Sequence, residues 1–356
     1  MREGKIDVSV VVAIYNIEKY LRTCLESLRM QDYDSCEFVL VDDGSTDLSG
    51  AICDEYIQKD GRFKVIHKEN EGIVSARRTG LNNANGKYIY FVDGDDWLDV
   101  GIISELLRKQ KEYNAELVVF PYYRADELEE LRVDSPQVGL LTGDDLDSFK
   151  KKYISQGKLY HFGMAPAVWN KIYEREHVQK VYMKIPKNIT IGEDLAVTVP
   201  YIMECRSILF VDTEQAYHYR IRNDSMTHKY DPKLIDKVKN LKAYFDKLEL
   251  PLEIVAQMDK YWAMIATMLI DNQMSGRVDS AEKRNIVKKI YEIPGLLEAI
   301  SKVPRQDYTF RFKILLYPFI SKNYRILLIM YHCDVGVRRI FSFFAMVKRR
   351  VKKIIS

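Results

Sequence analysis

Cysteine is scarce and follows no pairing pattern. Cys24, Cys36, Cys53, Cys205 and Cys333 are the only five in 356 residues, and no two form a C-x-x-C pair. An odd, dispersed set excludes a disulfide framework and a structural zinc site, and a reducing compartment fits it best. Glycine-rich phosphate loops are missing as well. No G-x-G-x-x-G follows the first apolar strand, and residues 80–87 are one residue too long for a phosphate loop and lack its following Ser or Thr. Dinucleotide and NTPase chemistry lose support accordingly. No stretch of roughly 18 uncharged apolar residues occurs, so nothing is expected to span a bilayer. The opening MREGKIDVSVVVAIYN has a short apolar run and no small-residue cleavage site. Val8–Ile14 is therefore expected to be a core strand and not a signal peptide, which makes the sequons at Asn188 and Asn223 incidental.

What is present is the composition of a folded protein, 47% apolar and 29% charged, long enough for two or three units. The net charge of +3 hides an asymmetry. From Arg305 onward twelve Lys or Arg stand against Asp307 and Asp334, about +10, which leaves the rest of the chain near −7.

The stretch 87–97, KYIYFVDGDDW, organises the first half. An aromatic and β-branched strand at 88–92 runs into Asp93, Asp95 and Asp96, which would repel one another if all were ionised. A divalent cation relieves that repulsion, and such oxygen ligands suit Mg²⁺ or Mn²⁺ with the remaining ligands taken from phosphates and water. A solvated Asp-Gly turn is the plainer alternative. Upstream, strands are expected at Val8–Ile14, 37–41 and 63–66, with helices after Asn16, from Ser45 or Thr46 through Tyr56, and at 72–84. Downstream, a helix at Ile102–Tyr113 and a strand at 117–120 continue the alternation. This order predicts an α/β fold with a mostly parallel sheet and helices on both faces. Ligands gather beyond the carboxyl ends of such strands, and three of those ends carry polar clusters: Tyr15-Asn16, Asp42-Asp43-Gly44-Ser45 and Asp93-Gly94-Asp95-Asp96. If the strands are parallel, all three clusters share one rim.

From about Asp126 to Gln156 the chain is acidic and weakly periodic, the pattern of a linker or surface excursion. Then come Val168-Trp169-Asn170-Lys171 and Gly192-Glu193-Asp194-Leu195, the latter opening an apolar helix. If residues 217–222 are extended, Tyr217, Tyr219 and Ile221 point one way and His218, Arg220 and Arg222 the other. That gives either a cationic face for a diphosphate or a solvated edge strand.

The opening VSVVVAIYN, EFVLVDDGSTD, NEGIVSARRTGLNNANGKYIYFVDGDDW, VWNKIY, GEDL and YHYRIRNDSMT together resemble a family 2 glycosyltransferase of the GT-A fold, of the bacterial cell-surface polysaccharide type. The resemblance covers about residues 7–227. It implies a nucleotide-sugar-binding half at 1–125 and an acceptor-binding half at 126–230; the residues beyond match nothing with comparable specificity, and 231–356 is expected to be a basic helical region. By the same resemblance, Ala13, Tyr15, Asn16 and Glu18 floor the nucleotide base and Asp42 accepts its N–H. Arg77 and Arg220 reach the nucleotide, Asp93 and Gly94 lie at the ribose or sugar, and Asp95 with His218 holds Mn²⁺ or Mg²⁺. Asp194 is the catalytic base with Glu193 beside it, and Trp169, Asn170 and Lys171 meet the acceptor. The implied activity is metal-dependent, inverting transfer of a sugar, in the first instance from a UDP-sugar, to a glycan or lipid-linked acceptor in polysaccharide (capsule) biosynthesis. One carboxylate base and one charge-stabilising metal suffice for that chemistry.

The basic tail suits a headgroup-plane helix at an anionic leaflet, with Phe341, Phe343, Phe344 and Val347 buried and 348–353 on phosphates. The expected location is cytoplasmic, peripheral at the inner face of the cell membrane. Nucleic acid is not an expected partner, because the aromatic-rich segments are apolar runs and not stacking platforms along a basic groove. Two alternatives remain open on sequence alone. One is a haloacid-dehalogenase-like phosphohydrolase with Asp93 as nucleophile, although Trp97 stands where that family expects Thr or Val. The other is a non-catalytic, membrane-attached nucleotide-binding scaffold.

Overall fold

The computed structural model describes residues 5–126, 129–157, 159, 161–222, 230–276 and 279–334. The chain divides into two compact units, Met1–Lys150 with Met164–Arg222, and Lys151–Gly163 with Asn223–Ser356. The first unit takes in residues on both sides of position 125.

In chain order the first unit contains β1 (Val8–Ile14), α1 (Glu18–Arg29), β2 (Cys36–Asp42), α2 (Ser49–Lys59), β3 (Phe63–His67), α3 (Ile73–Asn82), β4 (Tyr88–Asp93), β5 (Trp97–Leu98) and α4 (Ile102–Tyr113). It continues with β6 (Leu117–Val119), β7 (Tyr122–Ala125), β8 (Glu130–Val133), β9 (Gly139–Leu141), α5 (Gly143–Lys150), β10 (Lys171–Glu174), α6 (Arg175–Lys184), α7 (Glu193–Glu204), β11 (Ile208–Phe210) and β12 (Tyr217–Arg220). The larger sheet has the order β3-β2-β1-β4-β10-β6-β11-β9, and a smaller one the order β5-β12-β7-β8.

β3, β2, β1 and β4 are mutually parallel, as the strand-helix alternation predicts. Their β-branched and aromatic side chains form the core, with Val8, Val10, Val12, Phe38, Leu40, Tyr90 and Val92 all buried. Helix α3 lies close on this sheet because Gly80 carries no side chain: a Cβ there would stand 2.3 Å from Val11 Cγ1. β10 then enters antiparallel between β4 and β6, so the unbroken run of parallel pairings ends at β4. The acidic stretch after Asp126 is not a bare linker either. It supplies the edge strands β8 and β9 and helix α5, whose Leu146 and Phe149 are buried.

Register fixes where the strands end. Ala13 pairs with both Val41 and Asp93, Ile14 with Asp42, and Asp42 with His67. The three polar clusters therefore do emerge along one rim.

The second unit is helical: α8 (Leu234–Phe245), α9 (Leu252–Ser275), α10 (Ser280–Tyr291), α11 (Leu296–Lys302) and α12 (Phe310–Ile320). The long α9 buries residues all round, from Ile254 and Met258 through Trp262 and Ile265 to Ile270. Residues 151–163 belong here because Gln257 Oε1 accepts from the Ile154 N–H at 2.9 Å, and Lys260 donates to the Gly157 carbonyl at 2.9 Å. Arg311 joins Asp271 to Asp334. Among the described residues no helix is long and apolar enough to cross a membrane. The tail residues Phe341, Phe343, Phe344, Val347 and 348–353 lie outside the described residues.

Candidate active site

The chain leaving β1 turns at Asn16, whose φ of +52° is a left-handed conformation that asparagine tolerates better than most residues. Its own N–H donates to Ser45 Oγ at 3.1 Å, and its Oδ1 accepts from the Thr46 N–H at 2.8 Å. Glu18 Oε2 accepts from the Leu48 N–H at 2.8 Å, and Asp47 Oδ2 takes the Glu18 N–H at 3.0 Å. These side chains thus stitch the loop after β1 to the loop after β2. Tyr15 stays half exposed at the rim, and Ala13 is partly buried beside Asp93. Gly94 is small for a packing reason, since a Cβ there would lie 2.4 Å from Ile17 Cδ1.

Asp42 is buried at the end of β2. Its Oδ1 accepts from the Ser45 N–H at 3.0 Å, and its Oδ2 lies 2.8 Å from His67 Nδ1. Asp43, next along, is spent on structure. Its carboxylate receives Lys68 Nζ at 2.6 Å and the Gly72 N–H at 2.8 Å.

Arg77, on α3, is the keystone. Its Nη2 reaches Asp93 Oδ1 at 2.8 Å and its Nη1 reaches Asp194 Oδ1 at 2.9 Å, with Glu193 Oε1 at 3.8 Å. One guanidinium therefore joins the end of β4 to the first turn of α7, and its partner Asp194 lies 117 residues from it in sequence. The Arg77 side chain is 4% exposed, whereas Asp93, Asp95, Glu193 and Asp194 keep 27, 22, 22 and 27%. The cation lies beneath, and the carboxylates face outward. Burial opposes the charge on Arg77, but Tyr182, Asp93, Asp194 and Glu193 together hold its pKa well above the ordinary value.

Burial, then the neighbouring Asp93, pushes Asp95 upward, and Arg222 Nε at 3.0 Å from its Oδ2 counters this. Burial and the neighbouring Asp194 push Glu193 up to about 7, while Arg77 pulls it down. Asp194 is also raised, by burial, against the same guanidinium. The N-terminal position on α7 favours anionic carboxylates, but desolvation outweighs the helix dipole.

Asp96 has a structural role. It is buried, receives the Tyr217 hydroxyl at 2.5 Å and the Arg220 N–H at 2.7 Å, and so anchors β12 under the acidic turn. Arg220 then stacks on Trp97, 4.4 Å from the ring centroid, and its Nε donates to the Asp95 carbonyl at 2.8 Å. The alternation expected for residues 217–222 holds over the strand residues 217–220. Tyr217 and Tyr219 stack on Trp169, while His218 and Arg220 both meet Trp97.

Two expectations need correction. His218 was expected beside Asp95 as a metal ligand. Its ring is instead sandwiched between Trp97 and Tyr123, with Nε2 3.0 Å from Asp99 and Nδ1 3.4 Å from Glu130. Trp169, Asn170 and Lys171 were expected at the acceptor, but all three are buried. Lys171 donates to the carbonyls of Ala165 and Ala167 and to Asn170 Oδ1 at 2.6–2.8 Å, and Asn170 donates to the Phe120 carbonyl. Burial lowers the Lys171 pKa to about 7. An unusual buried cation in a motif looks functional in sequence, yet here it ties a loop to β10. The Asp95 partner Arg222, the Asp96–Tyr217 anchor and the Asp42 partner His67 were not singled out by the sequence. Only the period-2 pattern of residues 217–222 pointed toward Arg222.

The donor set suits a hard divalent ion. Asp93 and Asp95 offer carboxylate oxygens in a site where burial and the neighbouring Asp93 already disfavour the charge on Asp95. Among the described residues no group of three or more His, Cys, Asp or Glu could enclose an ion.

The fold is that of the GT-A glycosyltransferases. The crystal structure of Staphylococcus aureus TarS residues 1–349 superposes with a TM-score of 0.66 at 17% identity, covering 93% of this chain and 91% of that one. The same protein has also been crystallised with UDP-GlcNAc, a structure that superposes with a TM-score of 0.62 at 19% identity. Residues 9–182 match the family model "Glycosyl transferase family 2", and the chain belongs to that family. Glycosyltransferase GlyA of Streptococcus pneumoniae serotype 4 is 32% identical over 289 residues, 79% of this chain and 40% of that protein. Putative glycosyltransferase EpsH of Bacillus subtilis is 36% identical over 231 residues, 64% of this chain and 65% of that protein. The chain thus spans less than two thirds of the length of either relative.

Proposed function

We propose that the chain transfers a sugar, with inversion, from a nucleoside-diphosphate donor to a hydroxyl of a glycan or lipid-linked saccharide during cell-surface polysaccharide synthesis. The observation that carries this reading is the Arg77 fork. It sets an outward-facing pair at the end of β4 beside an outward-facing pair at the start of α7, on the rim that also holds Asp42. A diphosphate belongs with the first pair and the acceptor hydroxyl with the second. The UDP-GlcNAc complex of TarS supports a uridine donor.

Asp42, held by the Ser45 N–H, accepts the N–H of the base, and Tyr15 with Ala13 forms its floor. Asp93 orients the ribose or sugar. Asp194 takes the acceptor proton as the oxygen bonds to the anomeric carbon from the face opposite the donor phosphate. The bond from that carbon to the phosphate oxygen breaks, and its electrons leave with the nucleoside diphosphate. Glu193 lies beside the base and orients the incoming group. Asp95, with Asp93 nearby, would hold Mn²⁺ or Mg²⁺, and a bound ion would neutralise the charge that builds on the leaving diphosphate. Arg220 and Arg222 add fixed positive charge next to Asp95. The phosphohydrolase alternative loses its ground to the family match and to Arg77, which holds Asp93 as an ion-pair partner.

Incubating the chain with a panel of nucleotide sugars and Mn²⁺ tests the reading through release of nucleoside diphosphate. One UDP-sugar is expected to be turned over above the rest. Release of inorganic phosphate alone, or no turnover of any donor, would refute it.

The second unit supports a membrane-surface role. Phe310 is 81% and Ile329 60% exposed, and Ile326 and Met330 are exposed too, alongside exposed Lys313, Lys322 and Arg325. Apolar side chains next to cations suit an anionic leaflet, where a lipid-linked acceptor would be met. The chain is expected to sediment with anionic vesicles and to be released when residues 338–356 are removed. Equal sedimentation of both forms would count against that role for the tail.

A further inference from the structure

His67 closes β3 opposite Asp42 in the strand register. Its two ring nitrogens face two carboxylates: Nδ1 lies 2.8 Å from Asp42 Oδ2 on β2, and Nε2 lies 3.2 Å from Asp54 Oδ1 on α2. The ring is 45% exposed, Asp42 only 8%, and Asp54 62%. Space for the pair depends on Gly50 in the first turn of α2. A Cβ there would stand 2.9 Å from Asp42 Oδ2 and 3.5 Å from His67 Cε1. With the Ser45 N–H on one oxygen and His67 on the other, Asp42 is gripped from both sides. Each oxygen retains a lone pair for a ligand.

We propose that His67 is a positioning residue for donor binding, which holds the Asp42 carboxylate in the orientation that accepts the N–H of the nucleotide base and does so best as the imidazolium. This deepens the donor assignment above and rests on it. A neutral imidazole has one N–H and one lone pair, and it stands here between two acceptors. As the Nδ1–H tautomer it keeps Asp42 and turns a lone pair toward Asp54. As the Nε2–H tautomer it keeps Asp54 and leaves Asp42 facing a lone pair. Only the protonated ring serves both at once.

Among the titratable groups packed around the ring, Asp42 and Asp54 face its nitrogens. Cys53 on α2 is buried, with its thiol pushed up to about 12, and stays neutral. Lys68, next in sequence, is engaged by Asp43 and Glu71. The bond to Asp42 raises the His67 pKa above its ordinary value; burial opposes it, and the bond to Asp54 adds a lesser upward push. The sign follows. The grip on Asp42 is complete below the ordinary histidine range and weakens as pH rises through the raised pKa.

The test is calorimetric titration of UDP into the full chain between about pH 5.5 and 8.5, for the native protein, His67→Asn and His67→Ala. Asn places an N–H where Nδ1 stands and does not titrate. UDP ionises in the same range, so the expected signature is a difference: native affinity falls several-fold more with rising pH than that of His67→Asn. His67→Ala is expected to bind UDP about tenfold more weakly at low pH, the loss of one charge-assisted hydrogen bond, and to raise the donor KM with kcat little changed. Parallel pH profiles for all three proteins, or full affinity in His67→Ala, would overturn the inference while leaving the donor reading intact. No UDP binding by the native chain at any pH would overturn both.

Discussion

Asp194→Asn is expected to slow sugar transfer by a factor on the order of 10²–10⁴, the usual contribution of a positioned general base, while UDP binds as before. The substitution keeps size and shape and leaves Arg77 paired with Asp93, so the donor side is undisturbed. What disappears is the acceptor for the hydroxyl proton. The pH profile gives a second reading of the same event. Burial raises both Glu193, to about 7, and Asp194. A base must be deprotonated to act, so native activity should already fall, as pH drops, above the ordinary carboxylate range. The two groups titrate as a pair, and the limb belongs to both. In Asp194→Asn the residual rate should lose that limb. Parallel rate assays across pH check this, and a variant that kept most of its activity would pass the role of base to Glu193.

Arg77→Met should act on stability as much as on activity. The guanidinium is almost wholly buried, and Asp93 and Asp194 meet it at 2.8 and 2.9 Å. Its removal leaves carboxylates in a desolvated site without their counter-ion, a change that costs about 3–5 kcal/mol in comparable buried pairs. For a unit of this size that is a melting temperature lower by roughly 10 °C, measured by thermal denaturation. In the variant Asp194 and Glu193 would bind protons more tightly folded than unfolded. Stability therefore declines as pH rises between the unfolded and folded carboxylate pKa values, and the deficit should be larger at high pH than at low. A variant as stable as the native chain at neutral pH would mean that Arg77 carries none of the site.

Much of this arrangement can be read from the residues. Short apolar runs ending in Tyr15-Asn16, Asp42-Asp43 and Asp93–Asp96 predict parallel strands whose polar ends meet, and the register of β1, β2 and β4 has that form. Period two over residues 217–220 correctly separates the tyrosines from His218 and Arg220. What is not legible depends on partners distant in sequence. Nothing in the four residues of β10 announces that it inserts antiparallel between β4 and β6. The histidine in the strand-end sequence VIH gives no hint that it grips Asp42. Trp169, Asn170 and Lys171 mislead for a physical reason: polar groups in the interior must find partners as strictly as those in a site, and sequence alone does not separate the two. Arg77 is recognisable by resemblance, but its link to Asp194 appears only when α3 and α7 are brought together.

The most direct test is a titration of UDP into the native chain with Mn²⁺ present and absent, repeated with Asp95→Ala. Saturable binding that weakens at least about tenfold, both without the ion and in the variant, is the expected result. UDP affinity indifferent to Mn²⁺ and to the loss of Asp95 would mean that the acidic rim does not hold the donor diphosphate.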